Sequence, residues 1–459
     1  MIRQKTGNHI KKWISKRKFL LFLLFSLLSA YYFCLPRNMF PDTPYATVVA
    51  DRNGELLGAR IADDGQWRFP PSETVSEKFK QCLLQFEDRY FYFHWGVNPL
   101  SVGRALIQNI RNKEVVSGGS TITMQTIRLM RKKPRTVKEK IIEAVLATRL
   151  EFRYSKEKIL ALYASHAPFG GNVVGLEAAA WRYFGHSSQN LSWAEAATLA
   201  VLPNAPSMIH LSKNRQALET KRNRLLKRLL DRNLIDRSAY ELALTEPLPS
   251  EPLPLPQIAP HLVSLLYRTD KGHYIQTTLE KGFQQQVESL LSRWNAEFMR
   301  SDIRNIAALV IDVMNNEITA YCGNVNFNEK KSGNQVDIIH APRSTGSILK
   351  PLLYCAMLQE GELLPNTLLP DIPLNINGFA PQNFDLQFNG AVPASEALAR
   401  SLNVPAVQML RKYSVPKFYD LLKKAGLTTL TRPASDYGLS LILGGAEGTL
   451  WEIASVYSS

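Results

Sequence analysis

The sequence predicts a multidomain chain: a membrane anchor helix, a mainly helical domain and, behind it, a partial α/β domain. Three observations predict this. A basic N-terminus runs directly into an apolar stretch at 19–35. From 76 to about 243 apolar residues recur at helical spacing with no sustained alternation. Past a proline-rich stretch at 246–260 the pattern changes to short alternating runs interrupted by helices. The expected divisions are a basic tail at 1–18, an anchor at 19–35, a first domain at 36–245, a linker at 246–260 and a second domain at 261–459.

At 459 residues the chain can hold two or three cores. Its net charge of +15 calls for an anionic partner: nucleic acid, a membrane surface or a phosphorylated substrate. No zinc-like Cys/His spacing and no nucleic-acid module is present, so nucleic acid is set aside. Arg3, Lys5, Lys11, Lys12, Lys16, Arg17 and Lys18 precede the apolar run. At about 1.5 Å per residue, 19–35 spans most of a ~30 Å hydrocarbon core, and Trp13-Ile14 can extend it. Basic residues on the leading side place the N-terminus in the cytoplasm. Leu28-Ser29-Ala30 is a poor cleavage site, so the reading is an uncleaved single-pass anchor of the inner membrane, with everything after Pro36 periplasmic. Cys34 falls in the anchor; Cys82, Cys322 and Cys355 read as buried free thiols.

In order, 46–51 and 56–60 read as a hairpin across Arg52-Asn53-Gly54. Ile141, Val145, Thr148 and Phe152 recur at helical spacing, as do Leu225 and Leu229. Stretch 99–110 carries Leu100, Val102, Leu106, Ile107 and Ile110 largely on one side, which suits core packing or, as the alternative, dipping into a membrane surface. The prolines of 246–260 forbid a helix interior and predict a stiff, extended connector. Beyond it, 274–279 reads as a strand and 281–294 as a helix, followed by a hairpin of 307–313 and 317–322 across Met314-Asn315-Asn316.

The chemistry is densest between Glu87 and Gln125. Glu87 and Asp88 sit among Phe86, Tyr90, Phe91, Tyr92, Phe93 and Trp95, and a carboxylate against rings is poorly solvated, which favours a proton acceptor near neutral pH. Gly118-Gly119-Ser120-Thr121 offers amides and hydroxyls to an anionic group. Alone, a Glu-Asp pair is most often a solvated helix end and such a loop a plain turn. Their order and spacing closely resemble the glycosyltransferase domain of the class A penicillin-binding proteins. The first motif of that family, EDxxFxxHxGxD, is matched at Glu87, Asp88, Phe91, His94 and Gly96, with Asn98 replacing its last Asp. The second, GGSTITQQ, is matched through Gln125 with Met124 in place of the first Gln. The third, RKxxE, aligns with Lys140 and Glu143, with Glu139 replacing its Arg; a shifted register uses Arg135 and Glu139. A Glu139–Glu143 pair is unfavourable without a nearby cation, so the second carboxylate reads as a metal holder or a site residue. The fourth motif resembles 154–185, with Ala161 and Ser165 where the family has Glu and Asn; Gly170, Gly171 and Gly175 read as turn and packing residues.

A second constellation follows. Ser347-x-x-Lys350 at a helix start puts a hydroxyl and an amine one turn apart, so that a partly desolvated amine can take the serine proton. With Ser401-x-Asn403 it resembles the serine module of penicillin-binding transpeptidases and β-lactamases. No Lys-Thr-Gly or Lys-Ser-Gly follows Asn403: Lys5-Thr6-Gly7 precedes the anchor and Lys331-Ser332-Gly333 precedes the serine. The expectation is a truncated second domain, inactive in acyl transfer.

The resemblance implies a lysozyme-like helical glycosyltransferase joined to a β-lactamase-like transpeptidase domain, acting in cell-wall synthesis on lipid II and nascent glycan chains at the inner membrane, beside other cell-wall synthesis proteins. It casts Glu87 as general base and Glu143, Lys140 and a divalent cation (magnesium or manganese, held by Glu143) as stabilisers of the departing diphosphate. Asp88, His94, Gly119, Ser120, Thr121 and Gln125 would bind substrate in the first domain, and Ser401 and Asn403 beside catalytic Ser347 and Lys350 in the second. A non-catalytic wall scaffold and a glycan-cleaving lysozyme-like enzyme are the alternatives.

Overall fold

The computed structural model describes residues 2–112, 119–204, 214–329 and 333–458, without the side chains of 2–17 and of a few positions in 105–112. Gly118 and Lys331-Ser332 lie outside what is described, as do the side chains of Leu106 and Ile110. The chain divides into two compact units: Met1–Ala50, Glu55–Gln257 and Leu265–Gln276 in the first; Asp51–Gly54, Ile258–Ser264 and Thr277–Ser459 in the second.

The first unit starts with helix α1 (Ile2–Phe33). Phe19, Leu20, Leu21, Phe22 and Phe25 are all exposed on it. Among the described residues, no helix is long and apolar enough to cross a membrane. The end of α1 is fastened to the body: Tyr31 bonds Thr148 at 3.0 Å, Arg149 donates to Tyr32 O and lies over its ring, and Arg153 reaches the carbonyls of Pro36 and Arg37. The expected hairpin is present as β1 (Thr47–Ala50) antiparallel to β2 (Leu56–Arg60).

After β3 (Trp67–Arg68) come α2 (Glu77–Glu87), α3 (Pro99–Asn112), α4 (Ile122–Arg131), α5 (Val137–Arg153) and α6 (Lys156–His166). β4 (Pro168–Gly170) and β5 (Val173–Val174) complete a small sheet of order β3-β5-β4. The remaining helices are α7 (Leu176–Phe184), α8 (Trp193–Val201), α9 (Arg215–Leu230) and α10 (Arg237–Thr245). Serine and threonine caps start several of these helices: Thr121, Thr136, Ser155 and Ser192 each accept from a first-turn amide. Phe79, Leu83, Ile122, Ile127, Leu150, Leu160, Leu225 and Leu229 share the core.

Two apolar stripes face outward. On α3, Leu100 is 80% and Ile107 69% exposed, so the core-packing expectation is corrected for these two, while Val102 is half-buried. On α5, Ile141, Val145 and Phe152 are exposed, while Leu146, Ala147 and Leu150 fill the core instead. α5 is apolar on two sides, and spacing alone does not say which side turns inward.

The proline-rich stretch is extended but docked. Leu253 N donates to Arg182 O, Arg215 to the carbonyls of Leu248 and Pro249, and Arg222 to Glu246 O. Residues through Gln257 therefore belong to the first unit. The division between units falls within α11 (Pro260–Thr269), and β6 (Tyr274–Gln276) lies parallel to β1.

In the second unit α12 (Lys281–Phe298) precedes the antiparallel pair β7 (Ala308–Asp312) and β8 (Glu317–Cys322), turned at Asn316 with φ +53°. Buried Gln284 bonds both backbone groups of Tyr321, fixing α12 on β8. β9 (Arg343–Ser344) leads to α13 (Lys350–Gln359); β10 (Leu368–Asp371) pairs with β11 (Gly390–Pro393). α14 (Ala394–Ala399), α15 (Asn403–Tyr413), α16 (Val415–Lys424), α17 (Ala434–Tyr437), β12 (Glu447–Gly448, paired with β9) and α18 (Leu450–Ser458) follow. The strands of this unit form separate two-stranded ladders among the described residues. Cys82 and Cys322 are buried, whereas Cys355, expected inside, is exposed on α13.

Candidate active site

Glu87 is the last residue of α2, and Asp88 caps it. The two carboxylates do different work. Asp88, 6% exposed, accepts from His94 Nε2 at 3.0 Å and from Ile122 N at 3.1 Å, so it neutralises the amino end of α4. Thr121, the N-cap of α4, accepts from Met124 N and donates to Gly96 O at 2.6 Å. Lys156 donates to His94 O and to Glu151, and lies over the Phe91 ring. Asp88, His94 and Thr121 thus lock the turn after α2 onto α4.

Glu87 is held at one oxygen only. Its Oε2 accepts from Gln125 Nε2 at 2.8 Å, and its Oε1 is buried without a hydrogen-bond partner. Burial pushes its carboxyl above the usual range; Gln125, Arg128 and Lys221 pull it down, and Asp88 adds to the rise. Tyr163 on α6, 2% exposed, donates to Gln125 Oε1 at 3.4 Å.

The small-residue loop is built differently from the expected anion cradle. Gly119 is placed by packing: a Cβ there would lie 2.9 Å from Ser101 O and from Val102 Cα. Thr121 Oγ1 and Ile122 N are committed internally, and Ser120 Oγ accepts from Arg128 Nη2 at 3.1 Å. The cation at the loop is Arg128. It also grips Glu143, Nε to Oε1 at 2.9 Å and Nη2 to Oε2 at 2.7 Å.

The carboxylates of the third motif are both held by arginines. Glu143, 3% exposed, has both oxygens occupied by a guanidinium. Arg131 pairs with Glu139 and holds that carboxyl below its usual range. Each of the two like charges has its own arginine, so the repulsion that suggested a metal is relieved. Lys140 is exposed and bonds neither Glu87 nor Glu143. No group of three His, Cys, Asp or Glu among the described residues suits a metal ion, and one arginine-bound carboxylate does not fit a divalent cation. Asn98 is buried and its Oδ1 accepts from Ser101 N, doing the capping that an Asp would do. Ala161 and Ser165 are buried on α6, and Gly175 (φ +89°) lets Ser165 O approach within 2.7 Å of its Cβ position. Arg128 and Tyr163 went unnoticed in the sequence; the signal for Arg128 was its place three residues after Gln125, on the same face of α4.

In the second unit Ser347 is exposed in the turn before α13, not on the helix itself, and Lys350 N donates to Ser347 O. Lys350, 2% exposed, donates from Nζ to Ser401 O at 2.7 Å, Ser401 Oγ at 3.2 Å and Asn403 Oδ1 at 2.7 Å. Burial lowers its amine to about 8. Ser401 takes a left-handed backbone, φ +54°, and Asn403 N is fixed by Asn383, which is itself bonded to buried Asp371. Lys350, Ser401 and Asn403 therefore meet through the Lys350 amine, with Ser347 in the turn that leads into α13.

Residues 53–230 match the family described as Transglycosylase, and 306–440 the Penicillin binding protein transpeptidase domain. The chain is 39% identical to Penicillin-binding protein 1C of Escherichia coli (strain K12), over 90% of this chain and 54% of that protein. It is 29% identical to Penicillin-binding protein 1B of Vibrio cholerae, over 88% and 55%. The chain spans about half the length of these curated relatives. Among solved structures it is similar to Penicillin-Binding Protein 1A from Haemophilus influenzae, at 18% identity and TM-score 0.41, covering 91% of this chain and 68% of that one.

Proposed function

Because the chain belongs to the class A penicillin-binding proteins, which join a transglycosylase to a transpeptidase domain, we propose that its first unit polymerises lipid II into glycan chains. Glu87 is the general base. It takes the proton from the 4-hydroxyl of the acceptor sugar, whose oxygen attacks the anomeric carbon of the growing chain. The bond from that carbon to the lipid diphosphate breaks in the same displacement, so an α-linked donor gives a β-linkage. The observation that carries this is the buried, unpartnered Oε1 of Glu87, beside an amide that fixes the other oxygen. A general base contributes about 10²–10⁴-fold. Arg128, next to Ser120, is the positive group offered to the departing diphosphate. No step is assigned to a metal ion.

The inner-membrane reading rests on α1: exposed Phe19–Phe25 side chains behind a basic tail; the first unit also exposes Leu100, Ile107, Ile141 and Val145. The periplasmic placement of both units follows from that orientation. In the second unit Lys350, Ser401 and Asn403 are held together behind Ser347, and no acyl-transfer step is assigned to them.

The test is purified full chain with lipid II. Wild type should consume it and form glycan chains, and Glu87→Gln should form none while melting at the same temperature. Unconsumed lipid II with wild type, or chains made by Glu87→Gln, overturns the reading; release of fragments from isolated wall instead would show a cleaving enzyme.

A further inference from the structure

We infer that Tyr163 is a positioning residue for Glu87 and acts through Gln125: its buried hydroxyl holds the amide with its NH2 edge toward Glu87 Oε2, leaving Oε1 as the free acceptor of the carboxylate. This deepens the polymerase reading above and rests on it. The three side chains come from three helices, α2, α4 and α6. The chain of contacts is short: Tyr163 Oη to Gln125 Oε1 at 3.4 Å, then Gln125 Nε2 to Glu87 Oε2 at 2.8 Å.

Chemistry fixes the direction of that chain. An ionised carboxylate only accepts, so the amide must turn its NH2 toward Glu87. Its carbonyl then needs a donor, and a phenol supplies one. Burial pushes the Tyr163 phenol well above its ordinary value, with the charge of Glu87 adding to the effect and Arg128 opposing it. The hydroxyl therefore stays a donor through the neutral range.

Phenylalanine at 163 keeps the ring and removes the donor. With that donor gone the carbonyl can turn to accept from protonated Glu87, which favours the neutral form and raises the carboxyl. The other groups facing Glu87 are Asp88 at the end of α2, Arg128 on α4 and Lys221 on α9. Arg128 is already engaged by Glu143 and Ser120. None of these supplies the missing donor, and among the described residues only charged Glu87 itself then orients the amide.

The experiment compares wild type and Tyr163→Phe in lipid II polymerisation across pH. The acid limb of the variant should move up by about half to one pH unit, with activity recovering on the alkaline side. A merely structural loss lowers the rate equally at every pH, and superposable normalised profiles overturn the inference. Gln125→Leu should reproduce the upward shift, and adding Tyr163→Phe to it should move nothing further; an additional shift also overturns it. Infrared titration of the carboxyl band that Glu87→Gln removes gives the same answer without turnover. A chain that consumes no lipid II therefore refutes the polymerase reading alone, while the infrared midpoint still decides the role of Tyr163.

Discussion

Arg128 and Glu143 are joined at two points, Nε to Oε1 and Nη2 to Oε2, across the crossing of α4 and α5. Glu143 is almost fully buried, so the pair holds a charge that water does not solvate. Arg128→Met should cost about 3–5 kcal/mol by leaving that carboxylate unpaired. Arg128→Met with Glu143→Leu should recover most of the loss. Urea unfolding of the three chains checks this, and glycan synthesis should stay lost in the double variant, which separates folding from chemistry.

Gly96 and Gly171 make a matched comparison. Gly96 has φ +82°, and a Cβ there would lie 2.6 Å from the Ala147 carbonyl group. Gly171 has φ +54° and nothing within 4 Å of its Cβ position. Gly96→Ala should cost about 2–4 kcal/mol, and Gly171→Ala about 1 kcal/mol. Thermal melting of the two variants tests the ranking.

His166 ends α6, stacked on Phe40, with Nδ1 donating to Leu162 O and Nε2 accepting from Tyr45. Burial lowers it from 6.5 to about 4, with Arg68 and Lys132 adding to the fall and the Leu162 bond opposing it. The folded state holds the neutral ring, so the associated stability is full above the unfolded value and drains as pH falls toward the folded one. The loss between those limits is about 3 kcal/mol. His166→Gln should flatten the stability profile of the first unit over that window, as followed by denaturant midpoints at successive pH values.

Lys350 should titrate with a midpoint near 8, because burial disfavours its charge. Asn403 accepts from the charged amine, so Asn403→Leu should lower the midpoint further. A chemical-shift titration of Lys350 reads both. The same lowering makes stability fall as pH drops from the ordinary lysine range toward 8, with no further change below it.

Local signals in the sequence carried much of this. Turn residues marked both hairpins, helical spacing marked the first unit, and the neighbours of Glu87 and Gln125 identified them by order alone. What depends on helix crossings stayed hidden. Arg128 and Arg131 both lie on α4, and only its angle to α5 assigns one to Glu143 and the other to Glu139. Tyr163 reads as one more core aromatic, because its hydroxyl acts across to another helix. The Ser120-Thr121 hydroxyls looked available until their partners, Arg128 and Gly96, were in place. The outward faces of α3 and α5 were ambiguous because apolar spacing has no inside or outside.

Tyr31 and Tyr32 rivet the last turn of α1 to Thr148 and Arg149 of α5, the helix that also bears Glu143. A tether gripped in this way has no swivel. Lengthening the connection after Phe33 would therefore leave α5 against the root of α1, and only loss of the Tyr31–Thr148 and Tyr32–Arg149 contacts would let the two drift apart.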